Sequence, residues 1–137
     1  MKVAINTCYG GFGLSLKAIK ELGKLMGKEI YFYKQDDEFN YRNCIKVTDL
    51  NDKAFCIMPV CKDLGDKADI DLINENYFND DVGRTNYFLI RVIEKLGEEA
   101  NGRCSKLKIV EIPDDVEFDI QEYDGMEWVA ERHRTWE

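Results

Sequence analysis

Histidine is nearly absent from these 137 residues, with His133 the only one, and proline is confined to two positions, Pro59 and Pro113. A single imidazole leaves too few nitrogen ligands for a His-rich metal centre. None of the five cysteines (Cys8, Cys44, Cys56, Cys61, Cys104) forms a Cys-x-x-Cys pair, so no structural zinc pattern exists. An odd, scattered set of thiols is not a secreted disulfide framework, and reduced cysteines in an intracellular protein are expected. Long apolar runs are missing too: residues 1–5 lead straight into a first strand, so neither a signal peptide nor a membrane span is expected. Positive charge is the minority, 19 Lys and Arg against 27 Asp and Glu for a formal charge of -8. Binding to a nucleic-acid polymer relies on a basic surface that displaces counterions, which this balance disfavours. A small anion in a local basic pocket stays open.

What is present is organised around residues 6–15, Asn-Thr-Cys-Tyr-Gly-Gly-Phe-Gly-Leu-Ser. A short apolar strand (Val3, Ala4, Ile5) runs through a Gly-rich loop into an amphipathic helix. Glycines let backbone N–H groups approach a ligand closely, and the helix start adds unpaired donors and partial positive charge. Gly10, Gly11 and Gly13 spell G-G-x-G, which is neither the dinucleotide fingerprint nor a P-loop. The same residues also suit a plain strand-to-helix turn at positive φ. Tyr9 and Phe12 beside them offer ring faces for a base or for the core.

One domain spanning residues 1–137 is expected from this length, with a core that needs no staples. The 3.6-residue pattern predicts a first helix over residues 15–26, capped by Ser15, with Leu16, Ile19, Leu22 and Met26 inward and Lys17, Lys20, Glu21 and Lys24 outward. Residues 29–33 read as a strand, 35–43 as a polar loop holding Phe39 and Tyr41, 44–48 as a short strand, and 54–60 as an apolar run. Pro59 keeps that run off a central sheet position. Residues 63–81 are acidic, without the spacing of a calcium loop, and read as a solvated face. A second helix is expected over residues 86–100 and a strand over 107–112. Val116, Phe118 and Ile120 then alternate with polar neighbours, and Asp124-Gly125 signals a hairpin. The expected architecture is α+β: an antiparallel sheet including a C-terminal β-hairpin over residues 116–136, with the two main helices packed on one face.

The tail, Glu131-Arg-His-Arg-Thr-Trp136, gathers two guanidiniums, an imidazole and an indole. Arginine forks match phosphate oxygens and indole faces stack on purines, although the same residues also make an ordinary charged terminus.

Three blocks together resemble a known family: residues 6–15, residues 108–115 (Lys-Ile-Val-Glu-Ile-Pro-Asp-Asp), and residues 123–136 (Tyr-Asp-Gly-Met-Glu-Trp-Val-Ala-Glu-Arg-His-Arg-Thr-Trp). They are similar to the phage anti-Thoeris sponge family, which sequesters cyclic ADP-ribose isomers made by bacterial TIR-domain enzymes. The blocks cover about a third of the chain, and residues 29–81 carry no likeness. The helix headed by Arg84 also has the family look, with Arg-Thr-Asn-Tyr where Arg-Thr-Asp-Pro is expected. The resemblance implies a homodimer or higher homo-oligomer in the cytoplasm of the infected bacterial host. It would hold the small signalling nucleotide between subunits without degrading it, with no catalytic residue, metal, cofactor, nucleic-acid polymer or membrane involved.

Within such a pocket, residue chemistry suggests roles. The backbone of Gly10, Gly11, Phe12 and Gly13 with Arg84, Arg132 or Arg134 would meet the phosphates. Tyr9, Phe12, Phe118 or Trp128 would sandwich the adenine, and Asp115 would accept from ribose hydroxyls or the base. Two other classes remain: a nucleotide-degrading enzyme using Cys8 or His133, and an acidic protein that occludes a host defence enzyme.

Overall fold

The computed structural model describes residues 1–37, 40–54 and 56–132, and these fall into two compact units. The first comprises residues 1–18 and 82–137 and the second residues 19–81, so in sequence the second interrupts the first. Every strand pairing is antiparallel, and the class is α+β with a C-terminal hairpin. Among the described residues the strands form three sheets, of which the C-terminal hairpin is one.

In the first unit, β1 (Lys2–Asn6) pairs with β6 (Leu107–Glu111) over the whole strand, Ala4 opposite Ile109. Val3, Ala4, Ile5 and Asn6 are all buried, so β1 is covered on both faces although its sheet has two strands. Helix α3 (Tyr87–Leu96) packs on β1 and β6 through its apolar stripe, with Leu89, Ile90, Val92 and Ile93 buried. Asn86 caps it, its Oδ1 accepting from the N–H of Phe88 at 2.9 Å and of Leu89 at 3.2 Å. The expected helix over residues 86–100 stops early: Gly97 turns left-handed at φ 58°, and residues Gly97–Ala100 continue as one 3₁₀ turn. The hairpin of β7 (Phe118–Tyr123) and β8 (Met126–Glu131) turns through Asp124 (φ 54°) and Gly125 (φ 89°), the paired positive φ that a two-residue loop needs.

Helix α1 (Leu16–Leu25) starts at Ser15, whose Oγ accepts from the N–H of Ala18 at 3.1 Å. The second unit holds a four-stranded sheet ordered β4-β2-β3-β5 from β2 (Tyr31–Asp37), β3 (Asn40–Val47), β4 (Met58–Val60) and β5 (Lys67–Asp69). Pro59 sits on the edge strand β4, where a missing N–H is tolerated. Residues 35–43, expected as a loop, are instead mostly paired: Gln35 lies opposite Cys44 and Asp37 opposite Asn40, across a bulge. Their polarity misled because cross-strand pairing overrides weak propensity here. Phe39 lies outside the described residues, and Tyr41 falls within β3.

The core of this unit is Tyr33, Cys44, Val60, Ala68 and Ile73, with the Tyr33 hydroxyl donating to Gly65 O at 2.8 Å and accepting from the N–H of Leu64 at 2.9 Å. A short helix α2 (Ile70–Glu75), capped by Asp69, occupies part of the acidic stretch, and Asp66, Asp71, Glu75 and Asp81 in it are exposed, as expected of a solvated face. Its carboxylates Asp69 and Asp71 bind Arg42, at 3.1 and 2.6 Å. Among the described residues no helix is long and apolar enough to cross a membrane.

Candidate functional site

The Gly-rich loop, the hairpin turn and Arg84 meet in the first unit, and Asn6 joins them. It ends the buried strand β1 with a fully buried side chain that uses its whole hydrogen-bonding capacity. Nδ2 donates to Cys8 O at 2.6 Å and Gly125 O at 2.8 Å, while Oδ1 accepts from the N–H of Cys8 at 3.2 Å and of Lys106 at 2.8 Å. One amide therefore fixes the start of the loop, the approach to β6 and the hairpin turn.

The loop is held on both flanks. Gly10 N–H donates to Asp124 O at 3.1 Å, and Gly102 N–H and Ser105 Oγ donate to Gly13 O at 3.0 and 2.6 Å. Gly125 lies so close that a Cβ there would stand 2.3 Å from the nitrogen of Gly11 and 2.7 Å from that of Gly10. A Cβ on Gly10 would come within 2.8 Å of the Cys104 Cβ. These glycines allow backbones to touch, and the N–H of Gly10, expected to meet a phosphate, is given to the turn.

Arg84 sits at the edge of β1 away from β6. The N–H of Ala4 donates to the Arg84 carbonyl at 2.8 Å, and the guanidinium returns a bond to Ala4 O at 3.3 Å. Its fork grips Glu127, Nη1 to Oε1 at 2.6 Å and Nη2 to Oε2 at 2.9 Å, and Glu127 Oε1 also accepts the N–H of Asn6 at 2.8 Å. The ion pair thus supplies what a neighbouring strand would: partners for the donors and acceptors of an otherwise bare edge. The guanidinium carbon stands 3.8 Å from the centroid of the Phe12 ring, so one face of that ring is already covered. Burial by itself would raise the Glu127 carboxyl. The Arg84 hydrogen bonds, the Asn6 N–H and the Arg84 charge outweigh it and hold the pKa below the ordinary carboxylate value.

The other expected site residues separate into two groups. Trp128 adjoins Glu127 on β8 with its side turned outward, exposed, its indole N–H on Gln121 Oε1 at 3.1 Å; Tyr9 is also exposed. Phe118 and Arg132 lie at the open end of the hairpin, five residues from Tyr123 and six from Met126 at the turn, which at about 3.3 Å per residue is on the order of 16–20 Å. Phe118 is half-buried there, and the Arg132 Nε donates to Asp119 Oδ2 at 3.2 Å. Asp115 is exposed in the turn after β6, at the far end of the β1–β6 ladder from the loop. Arg134 and His133 lie outside the described residues. Within one chain, then, the loop, the hairpin turn and Arg84 are together, while Trp128 faces outward on the other side of β8 from Glu127 and Asp115, Phe118 and Arg132 are elsewhere.

Sequence reasoning overlooked Asn6 and Glu127. Each had a signal: a polar residue closing an apolar strand, and a carboxylate sharing the inward parity of Val129 on β8. Comparison with family models, with curated proteins and with solved structures finds no match to this chain.

Proposed function

We propose that the protein binds and sequesters a cyclic ADP-ribose type signalling nucleotide, in the manner of the phage anti-Thoeris sponges it resembles, and releases it chemically unchanged. The observation that carries this reading is convergence. Two blocks of the resemblance, residues 6–15 and 123–136, are more than 100 positions apart in sequence, yet they are locked together through Asn6, Gly10 and Gly125 around Arg84. A loop and turn fixed this way form a rigid platform, and preorganisation of that kind lowers the cost of holding a ligand.

The residues around the platform suit holding. Tyr9 presents an exposed ring face for a purine, Trp128 another on the outer face of the hairpin, and Arg84 with Phe12 forms a rigid wall beside the Gly-rich loop. Glu127, kept ionised by Arg84, is an anchor and not a base poised near neutrality. Arg132, Phe118 and Asp115, remote from the loop in their own chain, would complete the site from a second copy, with Arg134 beside them in sequence. The host cytoplasm, where the signal is made, is the expected location.

The test is recovery. Protein is incubated with a cyclic ADP-ribose isomer, freed of unbound ligand and heat-denatured, and the supernatant is chromatographed. Stoichiometric return of the intact isomer supports sequestration. Linear ADP-ribose or AMP accumulating with time, and only with folded protein, would identify an enzyme instead; a ligand-free protein that captures a host enzyme would identify an occluding decoy.

A further inference from the structure

Within the second unit, the C-terminal end of α1 and the segment after it form a cavity of about 360 Å³ lined by Lys20, Lys24, Gly27, Lys28, Glu29 and Ile30. Its shape follows from local chemistry. Gly27 at φ 79° ends the helix, and the N–H of Lys28 returns to Gly23 O at 2.8 Å, folding the chain back on the helix. Gly23 admits Ile30 so closely that a Cβ at 23 would sit 2.2 Å from Ile30 Cγ1. Ile30 is buried and makes the floor, and Lys20 and Lys24, one turn apart on α1, stand along one wall. Lys28 faces them from beyond the turn, its Nζ 5.8 Å from the centroid of the Phe78 ring.

The cavity gathers three lysines in an acidic chain. Four lysines elsewhere meet carboxylates: Lys2 with Glu94, Lys17 with Glu99, Lys34 with Asp52 and Lys46 with Asp63. Among the described residues, no carboxylate pairs with Lys20, Lys24 or Lys28, although acids outnumber bases in the sequence. Lys20 reaches only the carbonyl of Ile30, at 3.3 Å. Three ammoniums against the Glu29 carboxylate and the roughly half negative charge of the helix end leave a local excess of about one and a half positive charges. Lysine stems and Ile30 line the cavity, and long lysine side chains bury their stems while their ammoniums stay in water.

We propose that this cavity is a second, separate ligand site that takes a small phosphate monoester: the phosphate among the three ammoniums, and a compact apolar or aromatic body on Ile30 and the lysine stems. A monoester is largely dianionic near neutral pH and matches the local excess better than a monocarboxylate does. The volume lies in the range of small-molecule sites, about 300–1,000 Å³. The site is independent of the nucleotide platform, since it uses none of residues 6–15, 84 or 118–132.

The experiment is an amide NMR titration of the full chain with phenyl phosphate, inorganic phosphate and phenol in separate arms. Phenyl phosphate at millimolar concentration shifts the amides of residues 23–30 and leaves those of residues 9–13 unmoved; inorganic phosphate acts on the same amides more weakly, and phenol does nothing. The triple variant Lys20→Gln, Lys24→Gln, Lys28→Gln binds at least tenfold more weakly while its remaining spectrum overlays the parent. Lys24→Gln alone, a helix-compatible change at an exposed position, lowers affinity several-fold and guards against misfolding of the triple. Silence of residues 23–30 in the phenyl phosphate arm overturns the proposal, as does affinity unaltered in the variants. Shifts confined to residues 9–13 assign phosphate binding to the platform and overturn it equally.

Discussion

Replacing Glu127 by Gln isolates the electrostatic role of the Arg84 pair with almost no change of shape. The amide oxygen can still accept the N–H of Asn6, now at 2.8 Å from Oε1, but the amide nitrogen turns a donor toward Arg84 Nη2, which at present donates to Oε2 at 2.9 Å. One charged hydrogen bond is lost and a donor faces a donor. Breaking a buried pair costs about 3–5 kcal/mol, and the Arg84 side chain is 26% exposed, so the cost falls to or somewhat below the bottom of that range: roughly 2–3 kcal/mol. With a urea dependence of about 1–3 kcal/mol per molar, the midpoint should fall by roughly 0.7–3 M. Hydrogen exchange at Ala4 and Asn6, the two amides this edge protects, should speed up together. The double variant with Arg84→Met should show strong coupling. A midpoint lowered by less than about 0.3 M with unaltered exchange at Ala4 and Asn6 would refute the view that the ion pair stands in for a strand.

The same carboxylate predicts a pH dependence. Its folded pKa lies below the ordinary 4.5, so its stabilisation is complete above that value and is lost as pH falls through the lower folded pKa; acid melts of Glu127→Gln should be flatter below about pH 4.5 than those of the parent. Gly125→Ala puts a methyl 2.3 Å from the Gly11 nitrogen at φ 89°, and calorimetry should show a loss of more than about 2 kcal/mol, against a few tenths at an open exposed site. Asn86→Ala removes both cap bonds of α3 and should cost about 1 kcal/mol in urea melts. Tyr33→Phe strands Gly65 O and the N–H of Leu64 and should cost about 1–3 kcal/mol by the same measure. If nucleotide is held as proposed, Arg132→Ala with Arg134→Ala should weaken binding of a cyclic ADP-ribose isomer by calorimetric titration, and unaltered affinity would remove the tail from the pocket.

The elements that could be read from sequence were those whose signal is local. The β7–β8 hairpin announces itself by alternation and Asp-Gly, and α3 by its apolar stripe. The β2–β3 pairing did not, because Gln35 and Asp37 are stabilised by partners across the bulge and not by their own propensity. Asn6 and Glu127 were hidden for a related reason: each is polar, and only the packing of distant segments makes them interior. The lysine cavity was invisible in a helical projection that sends Lys20 and Lys24 to solvent, since Lys28 joins them only after the backward turn at Gly27.

The interruption of the first unit by residues 19–81 also sets an order of events during synthesis. Strand β1 is made first, yet its partners β6 and the β8 carboxylate are made last, about a hundred residues later. Closing a loop of that length costs on the order of 4 kcal/mol beyond its constant part, at about (3/2)RT ln n. Val3, Ala4 and Ile5 therefore wait unpaired while most of the chain emerges, whereas the sheet of residues 31–69 has every strand partner close by in sequence. The most deeply covered strand of the protein is thus the one that spends longest as an exposed apolar segment on the ribosome, and its chaperone dependence should exceed that of the inserted unit.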